Sequence, residues 1–266
     1  FKSINKLNKE VNFKANIGFV PTMGALHTGH ISLIKSSKIK CKKTLVSIFI
    51  NPSQFNKRKD LKKYPRNIKK DISILKKLRV DYLLIPKMND IYKNKKNMKI
   101  KLNKKIKILC ALYRPGHFEG VLAVVNQFLK KIKPKYLFLG EKDYQQIFLI
   151  KKFVKKKFNI KIVTCKTVRR KNLVPFSSRN FLLSKNGMKK ASLTSGLLTQ
   201  FFYSLKKNFK NVKKLNKIKK NIELLNVKIE YFEIRNKNNL SIKFNINNFK
   251  IFISYHIENV RLIDNF

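Results

Sequence analysis

Short apolar runs alternate with segments of helical periodicity from the start of the chain to about residue 167. The runs that predict strands lie at 17–20, 44–50, 81–86, 136–139 and 160–165. Between them, apolar side chains recur every three or four residues, as at 68–78 and 118–132, which is typical of helices with one buried face. This alternation predicts a Rossmann-like parallel α/β sheet with helices on both faces.

Beyond residue 167 the order of the elements changes. Two helical patterns are followed by two segments of rough alternation, at 185–207, 212–225, 227–235 and 242–255. Helices followed by strands predict a smaller α+β domain. We therefore expect a Rossmann-like domain over 1–169 and a C-terminal α+β domain over 170–266.

Three segments with glycine, amide or charged side chains stand where predicted strands end. They cover 22–30, 51–55 and 140–146, and Pro21 is expected to end the strand before the first of them. Ligands of parallel sheets bind beyond the carboxyl ends of the strands. The pattern therefore predicts that the three segments converge on one cleft.

Two histidines stand in the first of these segments, where a helix is expected to begin. The spacing of His27 and His30 places both rings on one face of the first helical turn. The free N–H groups of a helix N-terminus suit a phosphate, Gly24 permits a sharp turn, and Gly29 lets a ligand approach the backbone. The His-x-Gly-His pattern alone is equally consistent with two surface histidines, but the strand before it and the helix after it favour a phosphate site.

The composition adds a strong positive charge. The 63 Lys and Arg residues against 13 Asp and Glu residues give a net charge of +50, which usually suggests a nucleic acid or an anionic membrane as partner. Here the lysines are spread along the whole chain with abundant Asn, Ile and Phe, all encoded by AT-rich codons. We interpret the charge as compositional bias that helps to attract anionic substrates, and we expect no specific nucleic-acid partner.

Cysteine usage and hydropathy favour a protein of the cytoplasm. Cys41, Cys110 and Cys165 are far apart and match no zinc or disulfide pattern, so reduced thiols are expected. Residues 1–10 lack the apolar core of a signal peptide, and no run approaches the roughly 18 apolar residues of a membrane span. We therefore expect a cytoplasmic protein without a membrane partner.

Taken together, the motifs resemble those of the pantoate–β-alanine ligase family, which belongs to the superfamily of His-x-Gly-His nucleotidyltransferases. The matching segments are PTMGALHTGH (21–30), SIFINPSQF (47–55), DLKKYPR (60–66), RPGHFEGV (114–121), GEKDYQQ (140–146), SSRN (177–180) and RLIDN (261–265). They follow one another in the right order over nearly the whole chain. His-x-Gly-His alone is shared by many nucleotidyltransferases, whereas NPSQF combined with GEKDYQQ is far more specific.

The resemblance implies an AMP-forming ligase reaction in pantothenate and coenzyme A biosynthesis. The carboxylate of (R)-pantoate attacks the α-phosphorus of ATP, which gives pantoyl adenylate and pyrophosphate. The amine of β-alanine then attacks the acyl carbon and releases pantothenate and AMP. ATP as a substrate, Mg²⁺ as a bridge between phosphates and a homodimer are implied in the same way, and no dedicated set of metal-binding side chains is expected.

The resemblance also implies roles for individual residues, with His30 as the proton donor to the departing pyrophosphate. The catalytic residues that it implies are His27, His30, Lys142 and Arg179. The residues that it implies for pantoate are Gln54, Gln146 and Asn51, whose amides can donate to and accept from hydroxyl and carboxylate groups. The residues that it implies for the nucleotide are Met23, Gly24, Ala25, Leu26, His27, Thr28, Gly29, His30, Gly140, Glu141, Lys142, Asp143, Val168, Phe176, Ser177, Ser178 and Arg179.

The chain departs from the family pattern before its phosphate loop, and two other functions stay open. Phe176 stands where the family usually has Met, and Arg-Arg-Lys-Asn-Leu at 169–173 replaces a segment with an acidic residue and a Gly. Loss of the Gly is expected to stiffen or reroute the loop. A nucleotide-fold protein that binds RNA through its charge is one alternative. Another adenylyl- or cytidylyltransferase is the second, and it would not need Gln54 and Gln146 as a pair.

Overall fold

A computed structural model describes residues 1–12, 16–56, 58–92, 100–103 and 106–266. The chain forms two compact units, Phe1–Thr167 and Val168–Phe266. The division falls slightly before the boundary expected at 169, since Arg169 binds both carboxylate oxygens of Asp264, at 2.7 and 2.8 Å. Each unit has a hydrophobic core of its own.

The first unit alternates helices and strands, as the apolar pattern predicts. Its helices are α1 (Ile4–Glu10), α2 (Thr28–Lys40), α3 (Arg58–Lys63), α4 (Ile68–Lys77), α5 (Met88–Ile91), α6 (Cys110–Tyr113), α7 (His117–Ile132) and α8 (Tyr144–Lys157). Its strands are β1 (Ile17–Thr22), β2 (Lys43–Ile48), β3 (Tyr82–Leu84), β4 (Tyr136–Gly140) and β5 (Lys161–Cys165). Short 3₁₀ helices cover Pro52–Gln54 and Glu141–Asp143.

The five strands form one parallel sheet in the order β3-β2-β1-β4-β5. The chain moves outward from β1 through β2 to β3 and then returns to the other side of β1 with β4. The strand order therefore reverses between β1 and β4, which is where open parallel sheets of this kind bind their ligands. The segments after β1 and β4 flank this position.

Helices cover both faces of this sheet, as predicted. Consecutive side chains of β1 point to opposite faces. Val20 packs in one core cluster with Leu33 of α2 and Leu75 of α4. Phe19 faces the other way, and its ring lies 5.4 Å from that of Phe128 on α7. Burial on both sides explains why the central strands β1, β2 and β4 lack an alternating polar pattern.

Local predictions in this unit were wrong at three places. Pro21 does not end β1, because the Thr22 carbonyl accepts a hydrogen bond from Phe49 on the β2 side. Pro21 therefore faces the β4 side, where pairing has already ended at Phe19, and its missing N–H interrupts no ladder. The apolar pattern at 106–112 also predicts a short helix, whereas the helix found there, α6, begins only at Cys110, and α1 was not predicted.

The second unit packs helices against a small antiparallel sheet. Its helices are α9 (Lys185–Lys207) and α10 (Leu215–Glu223), with 3₁₀ helices at Ser178–Leu182 and Phe209–Lys214. Its strands β6 (Lys228–Asn236), β7 (Phe249–Ile257) and β8 (Val260–Asn265) pair in the order β6-β7-β8. Leu198 and Phe201 of α9 share a core with Ile251 and Ile253 of β7. This arrangement is the predicted α+β domain.

The strand expected at 242–255 is wrong in its first half. Asparagine side chains within and just before this half bind nearby backbone N–H groups and so compete with a strand ladder. Asn239 Oδ1 accepts from the N–H of Ser241 at 2.9 Å, and Asn248 Oδ1 accepts from that of Asn245 at 2.8 Å. As a result β7 begins only at Phe249, and β8 is an additional strand.

Two further expectations concern cysteines and membranes. Cys41, Cys110 and Cys165 are free thiols, with the first two buried. Within the part of the chain that the structure describes, no helix combines the length and the apolar character that a membrane crossing requires.

Candidate active site

The turn after β1 presents both histidines at the start of α2. His27 is the N-cap residue, and its Nδ1 accepts a hydrogen bond from the N–H of Gly29 at 3.1 Å. The acceptor role of Nδ1 leaves the proton of the neutral ring on Nε2. The rings of His27 and His30 stack with centroids 4.0 Å apart, as their spacing predicts.

The environment of His30 keeps its imidazole neutral. Its Nδ1 is buried without a hydrogen-bond partner among the described residues. Burial lowers the pKa of His30 from 6.5 to about 4, and it outweighs the nearby carboxylate of Asp143, which acts in the opposite direction. The ammonium of Lys142 lowers the pKa further. A neutral imidazole can still donate one N–H to a phosphate oxygen.

The segment after β4 brings a charged pair to the same end of the sheet as the histidines. Lys142 Nζ lies 3.1 Å from Asp143 Oδ1, and both groups act electrostatically on His30. Gly140 has an extended backbone, and a Cβ there would meet only Leu33 at 3.9 Å. The fold itself therefore does not require glycine at this position, and close approach of a nucleotide to Gly140 stays a prediction.

The loop after β2 joins the predicted pantoate residues to the histidine turn. Gln54 is buried, and its Nε2 donates to Met23 Sδ at 2.8 Å. Asn51 Nδ2 donates to Gln54 Oε1 at 3.3 Å and to the carbonyl of Gly120 at 3.1 Å. Tyr92 donates its hydroxyl to Asn51 Oδ1 at 3.2 Å. The structure thus brings Met23, Asn51 and Gln54 into one hydrogen-bonded group.

Residues at the start of α7 contact the backbone of the loop that carries Gln54. His117 Nδ1 lies 2.7 Å from the Gln54 carbonyl, and its Nε2 lies 2.9 Å from Arg114 Nη1. A carbonyl accepts and a guanidinium donates, so the ring carries its proton on Nδ1. A Cβ on Gly120 would stand only 2.4 Å from the carbonyl oxygen of Ser53, so α7 touches the loop backbone directly.

The second predicted glutamine lies on a different element. Gln146 is in the first turn of α8 and is partly exposed. Its neighbour Gln145 is buried and donates to the carbonyl of Ile108 at 2.7 Å. The two amides of this pair therefore have different surroundings, with Gln145 held by the protein and Gln146 more open to solvent.

The predicted phosphate loop belongs to the second unit. Ser177 Oγ accepts from the N–H of Arg179 at 3.2 Å, and the N–H of Ser177 donates to Asn180 Oδ1 at 2.8 Å. This capping box starts the 3₁₀ helix, in which Ser178 is buried. The N–H of Phe176 donates to the carbonyl of Val168 at 3.0 Å. These contacts order the backbone of the loop.

The atypical segment before this loop forms a tight hairpin. Arg169 and Pro175 form an isolated antiparallel bridge, and Leu173 takes a left-handed φ of 68°. The guanidinium of Arg170 lies 4.7 Å over the ring of Phe176, so the two departures from the family pattern contact each other. The backbone adopts the left-handed conformation that favours Gly even though Gly is absent.

Sequence reasoning missed Asp71. Its carboxylate accepts from the N–H groups of Ala25 and Leu26, at 2.9 and 2.8 Å, and it is buried. Asp71 lies four residues before Leu75, on the apolar face of α4. A carboxylate at a position that helical periodicity assigns to the core was the signal that could have revealed it.

These features first define a class of protein. A Rossmann-like sheet with a histidine pair at a helix N-terminus, beside its topological switch point, is a nucleotide-binding enzyme fold. A family model described as pantoate-beta-alanine ligase matches residues 1–266. The chain belongs to the pantoate–β-alanine ligase family.

Individual relatives agree over the full length. A pantothenate synthetase from Francisella tularensis subsp. novicida (strain U112) is 41% identical over 267 residues, which cover 100% of this chain and 94% of the relative. A crystal structure of pantoate-beta-alanine ligase from Francisella tularensis, complexed with beta-gamma ATP and beta-alanine, has a TM-score of 0.87 and 39% identity, with 100% of this chain and 96% of that chain covered.

A more distant structure shows the same fold. Pantothenate synthetase from Thermus thermophilus has a TM-score of 0.89 at 26% identity, with 100% of this chain and 98% of that chain covered. The predicted resemblance and fold class are confirmed. The chain is an enzyme of the ligase class that condenses pantoate with β-alanine using ATP.

Proposed function

We propose that the reaction proceeds through pantoyl adenylate, and that its first step takes place at the carboxyl ends of β1, β2 and β4. One observation carries this proposal: Gln54 Nε2 donates to Met23 Sδ at 2.8 Å. The predicted pantoate residue thus adjoins the predicted nucleotide turn. A carboxylate can attack a phosphorus atom only when both substrates are held in such proximity.

The residues of the first unit fit the adenylation step. An oxygen of the pantoate carboxylate forms a bond to the α-phosphorus of ATP, and the bond to the bridging oxygen of pyrophosphate breaks. Lys142 supplies positive charge to the phosphates, and His30 donates an N–H to them as a neutral group. Gln54, Gln146 and Asn51 orient pantoate without adding charge to the site.

The second step needs no protein nucleophile. The amine of β-alanine attacks the acyl carbon of the adenylate, AMP leaves with the bond electrons, and the ammonium product loses a proton. The protein must exclude water from the mixed anhydride during this exchange. The Francisella ligase structure contains beta-alanine together with beta-gamma ATP, and we extend both ligands to this chain.

We propose that Ser177, Ser178 and Arg179, which lie in the second unit, bind phosphates of the nucleotide. Two hydroxyls and a guanidinium suit the oxygens of a departing pyrophosphate. The hydrogen-bonded cap of Ser177 supports this role, because it orders the backbone that carries Arg179. Val168 and Phe176 are proposed to adjoin the adenine.

Mg²⁺ fits this chemistry as an ion brought by ATP. The ion commonly binds substrate phosphates, several waters and one or two carboxylates. Among the described residues there is no group of three or more His, Cys, Asp or Glu side chains suited to a metal ion. We propose that Asp143, which pairs with Lys142 at 3.1 Å, would be the carboxylate that helps to hold the ion. When bound, Mg²⁺ neutralises phosphate charge.

Assembly and location complete the proposal. We propose a homodimer, in line with the family, and a cytoplasmic location, which agrees with the free thiols of the chain.

Pyrophosphate release from ATP, measured with and without D-pantoate and in the absence of β-alanine, tests the function. We expect pantoate to stimulate release, and pantothenate to form once β-alanine is added. Release that does not respond to pantoate overturns the proposal. Tight RNA binding with a steep salt dependence and no ATP turnover would support the RNA-binding alternative instead.

Substitutions of two histidines, one in the proposed site and one in the second unit, provide matched variants. We expect His30→Ala to abolish adenylate formation in a folded protein. His256→Ala, in the second unit, removes a histidine that faces Glu230 and serves as the control. A single-turnover rate near that of the wild type in His30→Ala would remove His30 from the mechanism.

A further inference from the structure

The turn that carries the histidines has a strained backbone. Gly24 and Ala25 both take left-handed φ values, of 78° and 49°. A residue with a Cβ, such as Ala25, loses about 1–2 kcal/mol in this conformation. Such residues persist only where the surrounding structure holds them in place. The turn therefore requires a group that fixes its peptide planes.

The carboxylate of Asp71 is that group. Its Oδ2 accepts from the N–H of Ala25 at 2.9 Å, and its Oδ1 accepts from the N–H of Leu26 at 2.8 Å. Asp71 is only 2% exposed. A Cβ on Gly24 would stand 2.9 Å from Asp71 Oδ2, so the carboxylate occupies the space that the glycine leaves open. Both carboxylate oxygens thus bind consecutive peptide groups directly before His27.

Hydrogen bonds of Thr22 fix the same turn where it follows β1. Thr22 Oγ1 accepts from the N–H of Gly24 at 3.2 Å and donates to the carbonyl of Ser47 at 2.8 Å. The turn is therefore anchored to β2 at its beginning and to α4 at its end. Asp71 is the anchor nearer to the histidines.

We propose that Asp71 is a positioning residue for catalysis. By fixing the peptide groups of Ala25 and Leu26, it sets the N-cap geometry of His27 and the place of the stacked His30 ring. The inference rests on the proposed function, in which these rings face the phosphates of ATP. It adds to that function a residue that touches no substrate and acts through His27 and His30.

The isosteric variant Asp71→Asn isolates this role. An amide offers one acceptor oxygen and turns an NH₂ group toward the other peptide N–H, so one of the two bonds is lost. A displacement of about 1 Å at reacting groups costs on the order of 100-fold in rate. We therefore expect the single-turnover rate of adenylate formation to fall about 100-fold, while the KM for pantoate changes less than about 3-fold.

A double-mutant cycle with His30→Gln, whose side chain keeps an N–H donor and so leaves a measurable rate, separates positioning from general destabilisation. If Asp71 acts through His30, Asp71→Asn lowers the rate of the His30→Gln enzyme by less than about 3-fold. A full and independent 100-fold loss in that background overturns the inference. If the wild type itself shows no pantoate-stimulated pyrophosphate release, the proposed function fails, and this is seen before any variant is compared.

Asp81→Asn is the matched control. Asp81 also accepts from a backbone N–H, that of Thr44 at 2.9 Å, but at the opposite end of the sheet. We expect it to lower stability and leave the rate unchanged. If Asp71→Asn does not fold, the double variant Asp71→Asn/Ala25→Gly is measured instead, because glycine at position 25 adopts the left-handed φ without strain. Its rate must still fall about 100-fold relative to Ala25→Gly alone, and an equal rate overturns the inference.

Discussion

The substitution Gly120→Ala tests the contact between α7 and the loop that carries Gln54. A Cβ at this position would lie 2.4 Å from the carbonyl oxygen of Ser53 and 2.8 Å from the amide nitrogen of Gln54. These atoms belong to the backbone and cannot rotate away. Ordinary contact begins near 3.4 Å, so the loop must move by roughly 1 Å.

The magnitude follows from this displacement. A shift of about 1 Å in a substrate-positioning group costs on the order of 100-fold in rate, and overpacking costs about 1–3 kcal/mol of stability. Asn51 Nδ2, which donates to the carbonyl of Gly120 at 3.1 Å, moves with the loop. We expect kcat/KM for pantoate to fall about 100-fold, while the KM for ATP changes little.

Steady-state kinetics with each substrate varied, together with urea unfolding, measures both effects. Gly196→Ala is the matched control, because nothing lies within 4 Å of a Cβ at this helical position. It should leave the rates unchanged and raise the free energy of unfolding by up to about 1 kcal/mol. A wild-type kcat/KM for pantoate in Gly120→Ala would refute the reasoning.

Two further predictions concern stability. Burial lowers the pKa of His30 from 6.5 to about 4, so the unfolded chain binds this proton first and the wild type loses stability as the pH falls from 6.5 to 4. In the variant His30→Gln, the decrease in the free energy of unfolding from pH 6.5 to pH 4 should be smaller than in the wild type, by at most about 3 kcal/mol. Urea unfolding at both pH values measures this difference. An unchanged pH dependence contradicts the prediction. Leu173→Gly relieves the left-handed φ of 68° and should raise the free energy of unfolding by about 0.5–1 kcal/mol; a lower melting temperature would show that Leu173 is not strained.

Local sequence determined much of this protein. Short apolar runs predicted the five parallel strands. In the central strands β1, β2 and β4 the run is almost uninterrupted, because a strand buried on both faces has no polar side. The spacing of His27 and His30 predicted their shared helical face, because that geometry depends only on the pitch of a helix. The order of the motifs identified the family before any contact was known.

Only the tertiary structure decided how the loops are held. The role of Asp71 depends on α4 packing against the turn after β1, over a separation of 46 residues from Ala25. The requirement for Gly120 depends in the same way on where the loop of Ser53 passes. Periodicity states whether a side chain is buried, but it does not state which backbone lies against it. Contacts between distant segments arise only when the sheet and its helices pack, and these contacts position the residues that the sequence had already revealed.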